Sequence, residues 1–452
     1  MDVIERRSVL ALALVYLFRM LGLFLIMPVI SVAADGLDGA DAALIGTAIG
    51  IYGFTQASLQ IPMGMMSDKI GRKKVILFGL ILFALGSVIC ANADSIASLI
   101  IGRAIQGAGA IASTLMALLS DVTKEQNRTK AMATVGISIG ASFMLSLILG
   151  PILFQWVGLS GLFYLSFAFS FVGMALVIWA VPNVTQHSFR RDTTPSYQAL
   201  GRVIKDGRLR FLNVSVLLLH GSLTALFVAI PSMLVERYGL ALGQHSILYL
   251  VVMAAAFIAM LPLVIAAEGK GKMKQVLTLV IFLMGLTTLL MEWTTHLWLF
   301  AIAVCLFFVA FNTLEATLPS TLSKLAPVGY RGTAMGVFST HQFMGAFVGG
   351  AGGGWLLQNT SVETMFSVIG GMWLIWSIVS LLQPVPRKIA SMAFSIATHS
   401  EQDIERLKEQ LKAIQGVEDM QIFADEQTAY LKVDKQQLDK AALQQVAPQI
   451  QL

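Results

Sequence analysis

At 452 residues, with 56% of them hydrophobic and only 13% charged, the chain is too apolar for a soluble globular protein, whose charged share is about 25%. The formal net charge of +5 does not imply a nucleic-acid partner, because the bases sort by membrane side and form no groove or stripe. Cys90 and Cys305 both lie inside apolar runs, so neither a disulfide framework nor a thiolate metal centre is available, and no cofactor is expected.

Twelve runs are long enough to cross a hydrocarbon layer of about 30 Å at about 1.5 Å per residue. They fall near residues 8–33, 42–66, 73–93, 96–119, 130–156, 159–181, 211–235, 243–267, 274–292, 296–322, 331–356 and 362–383. They are numbered here as helices 1 to 12. Helix 1 follows Arg6 and Arg7 and exceeds the roughly 7–15 residues of a signal h-region, so it reads as a retained span. Arg19 lies near its middle, where a charge is costly and therefore a functional candidate.

Helices 2 and 3 are joined by Gly64-Met65-Met66-Ser67-Asp68-Lys69-Ile70-Gly71-Arg72-Lys73-Lys74, a short cationic turn with one acid just ahead of the bases. Two hundred positions later Pro62, Asp68, Gly71, Arg72 and Lys74 are matched by Pro262, Glu268, Gly271, Lys272 and Lys274, although Gly64 has become Val264. Arg128, Ala131 and Met132 open helix 5 as Arg331, Ala334 and Met335 open helix 11. The membrane part is therefore expected to be built twice, as parallel halves with a site at their interface.

Helix 4 contains the run Arg103-Ala104-Ile105-Gln106-Gly107-Ala108-Gly109, and helix 5 contains Gly150-Pro151. Gly107 and Gly109 allow close helix packing, and Pro151 can bend its helix. Residues 182–210 are polar and basic, with Pro182 and Pro195, and link the halves 1–181 and 211–386. In the second part of that linker Tyr197, Leu200, Val203 and Ile204 fall at helical spacing, which suits either a short helix at the headgroup surface or a plain flexible connector. In the second half His220, Asn312, Glu315 and His341, with Gln342, sit inside apolar runs. Glu315 is expected to be desolvated and to exchange a proton or bind substrate, with His341 as its partner. A structural pairing of Glu315 with Arg19 across the halves is the competing expectation. The run Gly345–Gly354 in helix 11 suits close packing.

Arg6, Arg7, the Lys69–Lys74 cluster, Lys124, Arg128, Lys130, the six bases from Arg190 to Arg210, Lys270, Lys272, Lys274, Lys324, Arg331, Arg387 and Lys388 fall on one side. The other side has Arg237 with Asp35, Asp38, Asp41, Asp94, Glu236, Glu292 and Glu363. The positive-inside rule then places both termini in the cytoplasm. From about Lys388 the composition turns soluble. Strand, helix, strand, strand, helix are expected in 388–452, beginning near Met392, Ser400, Val417, Thr428 and Lys435, with room for a last short strand. That order suggests a ferredoxin-like domain. Metal-binding modules of this shape carry paired cysteines in the first loop, whereas this chain has Ala397-Thr398-His399-Ser400 there, so no metal is expected.

The pattern G-x-x-x-D-x-x-G-[RK]-[RK] between the second and third apolar runs, with its second copy, resembles the signature loop of the major facilitator superfamily. With its tail the whole chain is similar to proton-coupled drug antiporters of that family that carry a small extra domain. The resemblance implies twelve transmembrane helices in two pseudo-symmetric six-helix bundles, an all-α polytopic membrane protein with a small α+β ferredoxin-like domain at its C-terminus. It also implies a conformational latch of Gly64, Asp68, Gly71, Arg72, Lys73 and Lys74. In that latch Asp68 meets the N-terminus of helix 11 around Gly332–Gly336, and Arg72 binds Asp121. The blander alternative is that these bases only hold the loop inside. The Arg103 run resembles a second family signature, R-x-x-Q-G-x-G, which implies a proton-coupling role for Arg103 with Gln106. Arg103 bonding the carbonyls of a neighbouring helix is the alternative. Family antiporters show G-x-x-x-G-P-x-x-G-G in helix 5, and here only Gly150-Pro151 of it survives, which leaves the direction of transport open.

These readings point to a proton-coupled secondary transporter of the bacterial inner membrane that exports small amphipathic compounds. Its partners are a small-molecule substrate, protons and the lipid bilayer, and its body is monomeric. A membrane sensor, with a transporter body that signals through the tail, is the alternative. No nucleophile with its base and no phosphate loop supports an enzyme. The tail is left to bind a partner, to self-associate or to regulate gating.

Overall fold

The computed structural model describes residues 1–183, 197–328, 330–384, 389–396, 400–423, 428–434 and 437–447. Arg190, Arg191, Pro195, Arg387, Lys388, the Ala397-Thr398-His399 loop, the Asp425-Glu426 turn, Lys435 and the last expected strand lie outside them, as does the side chain of Arg128. Among the described residues ten helices are long and apolar enough to cross a membrane. One of these, within Glu125–Trp179, is two spans end to end, because Gly158 breaks it with φ +65°, a left-handed conformation that glycine adopts without a Cβ penalty. Helix 11, Arg331–Asn359, is missing from the ten because its many glycines contribute little hydropathy. With that break and that addition the spans number twelve, as expected.

Helix 1 is Val3–Phe24, extended by a turn and the short helix Ile30–Ala33. Helix 2 is Ala42–Ile70 and helix 3 Arg72–Ala91. Helix 4 is interrupted, Ile96–Ala108 then Ala112–Asp121. Helices 5 and 6 are 125–157 and 159–179. In the second half helix 7 is Gly207–Glu236, helix 8 His245–Val264 with a terminal π turn Ile265–Gly269, helix 9 Met273–Trp293, helix 10 Leu297–Leu325 and helix 12 Val362–Leu382. Trp156, Trp293, Trp298 and Trp355 lie at helix ends and are exposed, as aromatic belts at a membrane interface require. The ends that carry the termini are called the basic end below, and the opposite ends the acidic end.

Helices 2 and 11 form the main seam between the halves. Gly46, Gly50 and Gly53 face Phe343, Phe347, Gly350 and Gly354 so closely that a Cβ at Gly50 would lie 2.7 Å from the Phe347 carbonyl. On its other side helix 11 packs on helix 7, where Gly345 and Gly349 meet the backbone at Leu217 and Gly221. Phe143 of helix 5 reaches Phe308 and Phe311 of helix 10, with ring centroids 6.3 Å apart in both cases. Met27 and Leu147 join the same core.

At the basic end Asp2 caps helix 1 by accepting from the Glu5 amide at 2.8 Å. That bond, and then Lys124, hold its carboxyl below the usual value. The buried Glu5 carboxylate in turn accepts from the Lys124 amide at 2.8 Å and Asn127 Nδ2 at 2.9 Å, so it neutralises the positive N-terminal pole of helix 5. The linker forms a helix over Tyr197–Lys205. Its Val203 is buried in the core of the second half and the helix packs on helix 11, so it is neither a free connector nor held by lipid alone.

The C-terminal domain has strands β1 (Ile389–Ser395), β2 (Val417–Phe423) and β3 (Thr428–Asp434), antiparallel in the order β1-β3-β2. The helices Glu401–Ala413 and Lys440–Val446 contribute Ile404, Leu411 and Leu443 to a core with Phe394, Leu431 and Val433. The second helix starts later than the expected Lys435, because Asp439 supplies its cap, accepting from Ala442 N–H at 3.0 Å.

Candidate transport site and gate

The turn between helices 2 and 3 depends on Gly71, whose φ is +102°. A side chain there is strained whatever the space around it. The reversal brings Arg72 back over the end of helix 2. Its buried guanidinium pairs with Asp68, donates to Ser67 Oγ at 2.8 Å and reaches Asp121 Oδ2, at the end of helix 4, at 3.2 Å. Both carboxylates are largely shielded from solvent. Lys73 Nζ donates to the Val181 carbonyl at 2.9 Å, at the end of helix 6, while Lys74 is exposed. Gly64 lets helix 4 approach: a Cβ there would lie 3.0 Å from Ser113 Oγ, which donates to the Gln60 carbonyl at 2.9 Å.

The second copy keeps the positive-φ glycine, after a π turn instead of a plain helix end, and exchanges the charges. Gly271 has φ +68°, but the acid Glu268 pairs with Lys324 of helix 10 and accepts from Ser320 at 2.6 Å. Each half thus ties its own 2–3 or 8–9 loop to its own fourth helix.

Two buried arginines occupy the first half. Arg103 donates from Nε to the Ala48 carbonyl at 3.2 Å and from Nη1 to Gln106 Oε1 at 2.9 Å. It also lies 5.0 Å from the Tyr52 ring centre, a cation–π contact. Gln106 passes the chain on to Ser87 Oγ at 2.8 Å. Arg19 donates from Nη2 to Gln56 Oε1 at 2.7 Å, to the Gly109 carbonyl at 2.9 Å and to the Tyr52 hydroxyl at 3.1 Å. The interruption of helix 4 exposes that carbonyl. Gly107 and Gly109 pack against the backbone of Tyr52 and Gly79, and Gly150 against Leu25 and Pro28, while Pro151 lies within the continuous helix 5.

In the second half Glu315 Oε2 lies 3.6 Å from His220 Nε2. Gln342 Nε2 bridges the two, 2.8 Å from His220 Nε2 and 3.4 Å from Glu315 Oε1. His220 Nδ1 faces the Val216 carbonyl at 3.3 Å, and the Phe311 ring centre is 5.9 Å from the imidazole. Asn312 is half-buried one turn away. Three expectations are corrected here. The partner of Glu315 is His220, not His341, whose Nδ1 is engaged with the Val337 carbonyl of its own helix at 2.8 Å. Arg19 does not cross to Glu315, because neutral groups of helices 2 and 4 hold it. Nor does the protein itself bury Glu315, whose side chain is 42% exposed.

Sequence reasoning missed Tyr52, Gln56 and Gln60, which line one face of helix 2 at helical spacing. Gln60 Nε2 crosses the seam to Thr340 Oγ1 at 3.0 Å, and nearer the acidic end the Ala43 amide donates to Gln358 Oε1 at 3.0 Å. Two buried glutamines one turn apart in an apolar run are the signal that would have found them.

The sequence profile of the Major Facilitator Superfamily matches residues 12–350 and 212–398, and that of the YajR YAM domain matches residues 398–449. Over 449 residues the chain is 42% identical to the inner membrane transport protein YajR of Escherichia coli K12, covering 98% of each chain. It is 27% identical to the multidrug resistance protein MdtH of Aeromonas salmonicida, covering 81% of this chain and 90% of that one. The crystal structure of the human organic anion transporter MFSD10 superposes with a TM-score of 0.62 at 18% identity, covering 84% of this chain and all of that one.

Proposed function

The chain belongs to the major facilitator superfamily, and on that footing we propose that it is a proton-coupled exporter of small amphipathic compounds, working by alternating access. Both termini and the basic end then face the cytoplasm. Both six-helix bundles lie in one chain, and an inner membrane transport protein is its relative over nearly the full length.

The observation that carries the reading is the half-exposed Glu315 carboxylate with His220 and Gln342 beside it. With Nδ1–H given to Val216, neutral His220 has its Nε2 lone pair free to accept from the Gln342 amide. A proton arriving at Nε2 turns that atom into a donor. It then repels the Gln342 N–H and attracts Glu315, 3.6 Å away, so the pair contracts and the glutamine must turn. A cationic or hydrogen-bonding group of a substrate competes with the imidazolium for the same carboxylate. Proton and substrate therefore exclude one another, which is the logic of exchange. Phe311 beside His220, with Phe308 against it, supplies apolar wall for the rest of an amphipathic molecule.

Arg103 and Arg19 are held by first-half partners and set the shape of helices 1, 2 and 4. The loop of Asp68, Arg72 and Asp121 acts as the cytoplasmic latch. The contacts of Gly50, Gly46 and Ala43 with helix 11 lie towards the acidic end, which supports a cytoplasm-facing state here. The test is flux of a fluorescent lipophilic cation into proteoliposomes under an imposed pH gradient. Gradient-driven uptake that an uncoupler abolishes, and that Glu315→Gln lowers at least tenfold, is expected. Uptake indifferent to the gradient in the unmodified protein overturns proton coupling.

A further inference from the structure

In the C-terminal domain both helices lie on one face of the sheet. Alternation along β3 turns Ala429, Leu431 and Val433 towards them and Tyr430, Lys432 and Asp434 to the other face. That second face of a small antiparallel sheet ordinarily meets water. Here Tyr430, Lys432 and Asp434 are buried too, at 7%, 5% and 6% exposure, because Ala326, Val328 and Tyr330, at the joint between helices 10 and 11, lie against the sheet. Lys432 Nζ donates to the Ala326 carbonyl. The Val328 amide donates to Asp419 Oδ2 at 3.4 Å, and Gln421 Nε2 donates to the Tyr330 hydroxyl at 3.1 Å. Phe423 meets the Tyr330 ring edge-on with centroids 6.1 Å apart, and the Tyr430 ring with centroids 5.9 Å apart. Val328, Tyr330, Phe423 and Tyr430 form an apolar cluster separate from the domain's own core.

Tyr330 is the N-cap residue of helix 11. Just inside it lies Gly332–Gly336, the segment that the family resemblance implies for the latch. Helix 10 carries Glu315 and helix 11 carries Gln342. A body seated on their joint therefore holds both ligand-bearing helices at the point where they must pivot.

We infer that the C-terminal domain regulates the gate: docked on Ala326, Val328 and Tyr330, it fixes the first turn of helix 11 and favours the state in which helices 2 and 11 seal the acidic end. The inference rests on the alternating-access reading, but its test does not use transport. Hydrogen exchange is measured by mass spectrometry on the detergent-purified full chain, on Phe423→Ala combined with Lys432→Gln, and on the milder Gln421→Ala. Phe423 and Lys432 lie outside the domain's own core, so the β3 amides should keep their protection and report that the domain is folded. Exchange at residues 326–334 is expected to quicken at least tenfold in the double variant. Exchange in peptides of the acidic-end seam, 42–53 and 346–358, should quicken severalfold with it, and Gln421→Ala should move both in the same direction by less. If the joint loosens while the seam is unchanged, the domain is an attached passenger and the inference fails. Unchanged exchange at 326–334 in the double variant removes the docking itself. Failure of proton-driven flux with this exchange pattern intact would instead count against the transport reading.

Discussion

A guanidinium buried beside a membrane surface needs its donors placed, and Arg72 places them on Asp68, Ser67 and Asp121. Removing one partner of a buried ion pair costs about 3–5 kcal/mol, because the other charge is left without compensation. Asp121→Ala is therefore expected to lower the thermal unfolding midpoint in detergent by several degrees. Adding Arg72→Met should then cost less than it does alone, since Asp121 is already gone and only Asp68 still loses its pairing charge, and full additivity of the two changes would show that the pair is not coupled. The Glu315 constellation predicts a different pattern. His220→Asn keeps a polar side chain near Gln342 but removes the site that gains a proton, so flux at one fixed pH should survive within a few-fold while its pH profile flattens. A profile unchanged from the unmodified protein would remove His220 from the proton path. These residues differ in how visible they are in sequence. The pairing of Arg72 with an acid could be read from local spacing and family pattern. The choice of His220 over His341 as the neighbour of Glu315 could not, because it depends on the rotation of helix 7 against helix 11, which no local pattern fixes.

Helix 11 shows the limits of hydropathy at the scale of one element. Its glycines make it fall short of the apolar threshold that the other spans meet, yet they are what seat it between helices 2 and 7. A Cβ at Gly350 would lie 2.7 Å from the Gly46 carbonyl and 2.8 Å from the Gly50 nitrogen, inside any van der Waals contact, and the neighbours are backbone that cannot rotate away. Gly350→Ala is thus expected to push helices 2 and 11 apart at the acidic end and to shift the body towards the opposite opening. A cysteine placed at Ala43 should then react with a membrane-impermeant maleimide at least several times faster, and an unchanged rate would show that the seam yields without opening. Length alone located the helix, since about 25 residues between charged turns are enough to span, and the interruption of helix 4 had a trace in the Gly107 and Gly109 pair. That the interruption serves to present the Gly109 carbonyl to Arg19 was beyond sequence reading, because the partner lies 90 residues away.

At the scale of the whole molecule the two-hundred-residue repeat carries most of the fold. It foretells two bundles, their parallel sense and the matching glycine turns at Gly71 and Gly271, and the order of strands and helices in the tail follows from its own periodicity. What the repeat does not carry is how the pieces meet, since the seating of the tail depends on Phe423, Tyr430 and Lys432, which read in sequence as ordinary alternation along edge and centre strands. Truncation after Pro384 separates transporter from sensor on this basis. The groups of the Glu315 site and of both 2–3 and 8–9 loops lie wholly within the body, so the shortened chain should keep proton-driven flux. Its rate should change, by less than about tenfold, because the docked domain biases a two-state equilibrium without supplying any ligand to either state. Val328 and Tyr330, buried in the full chain, become an exposed apolar pair, so purification in the same detergent and a thermal midpoint within a few degrees are needed to separate altered gating from aggregation. Complete loss of flux in a folded truncated chain would make the tail part of the working cycle, whereas a sensor would lose its signalling output.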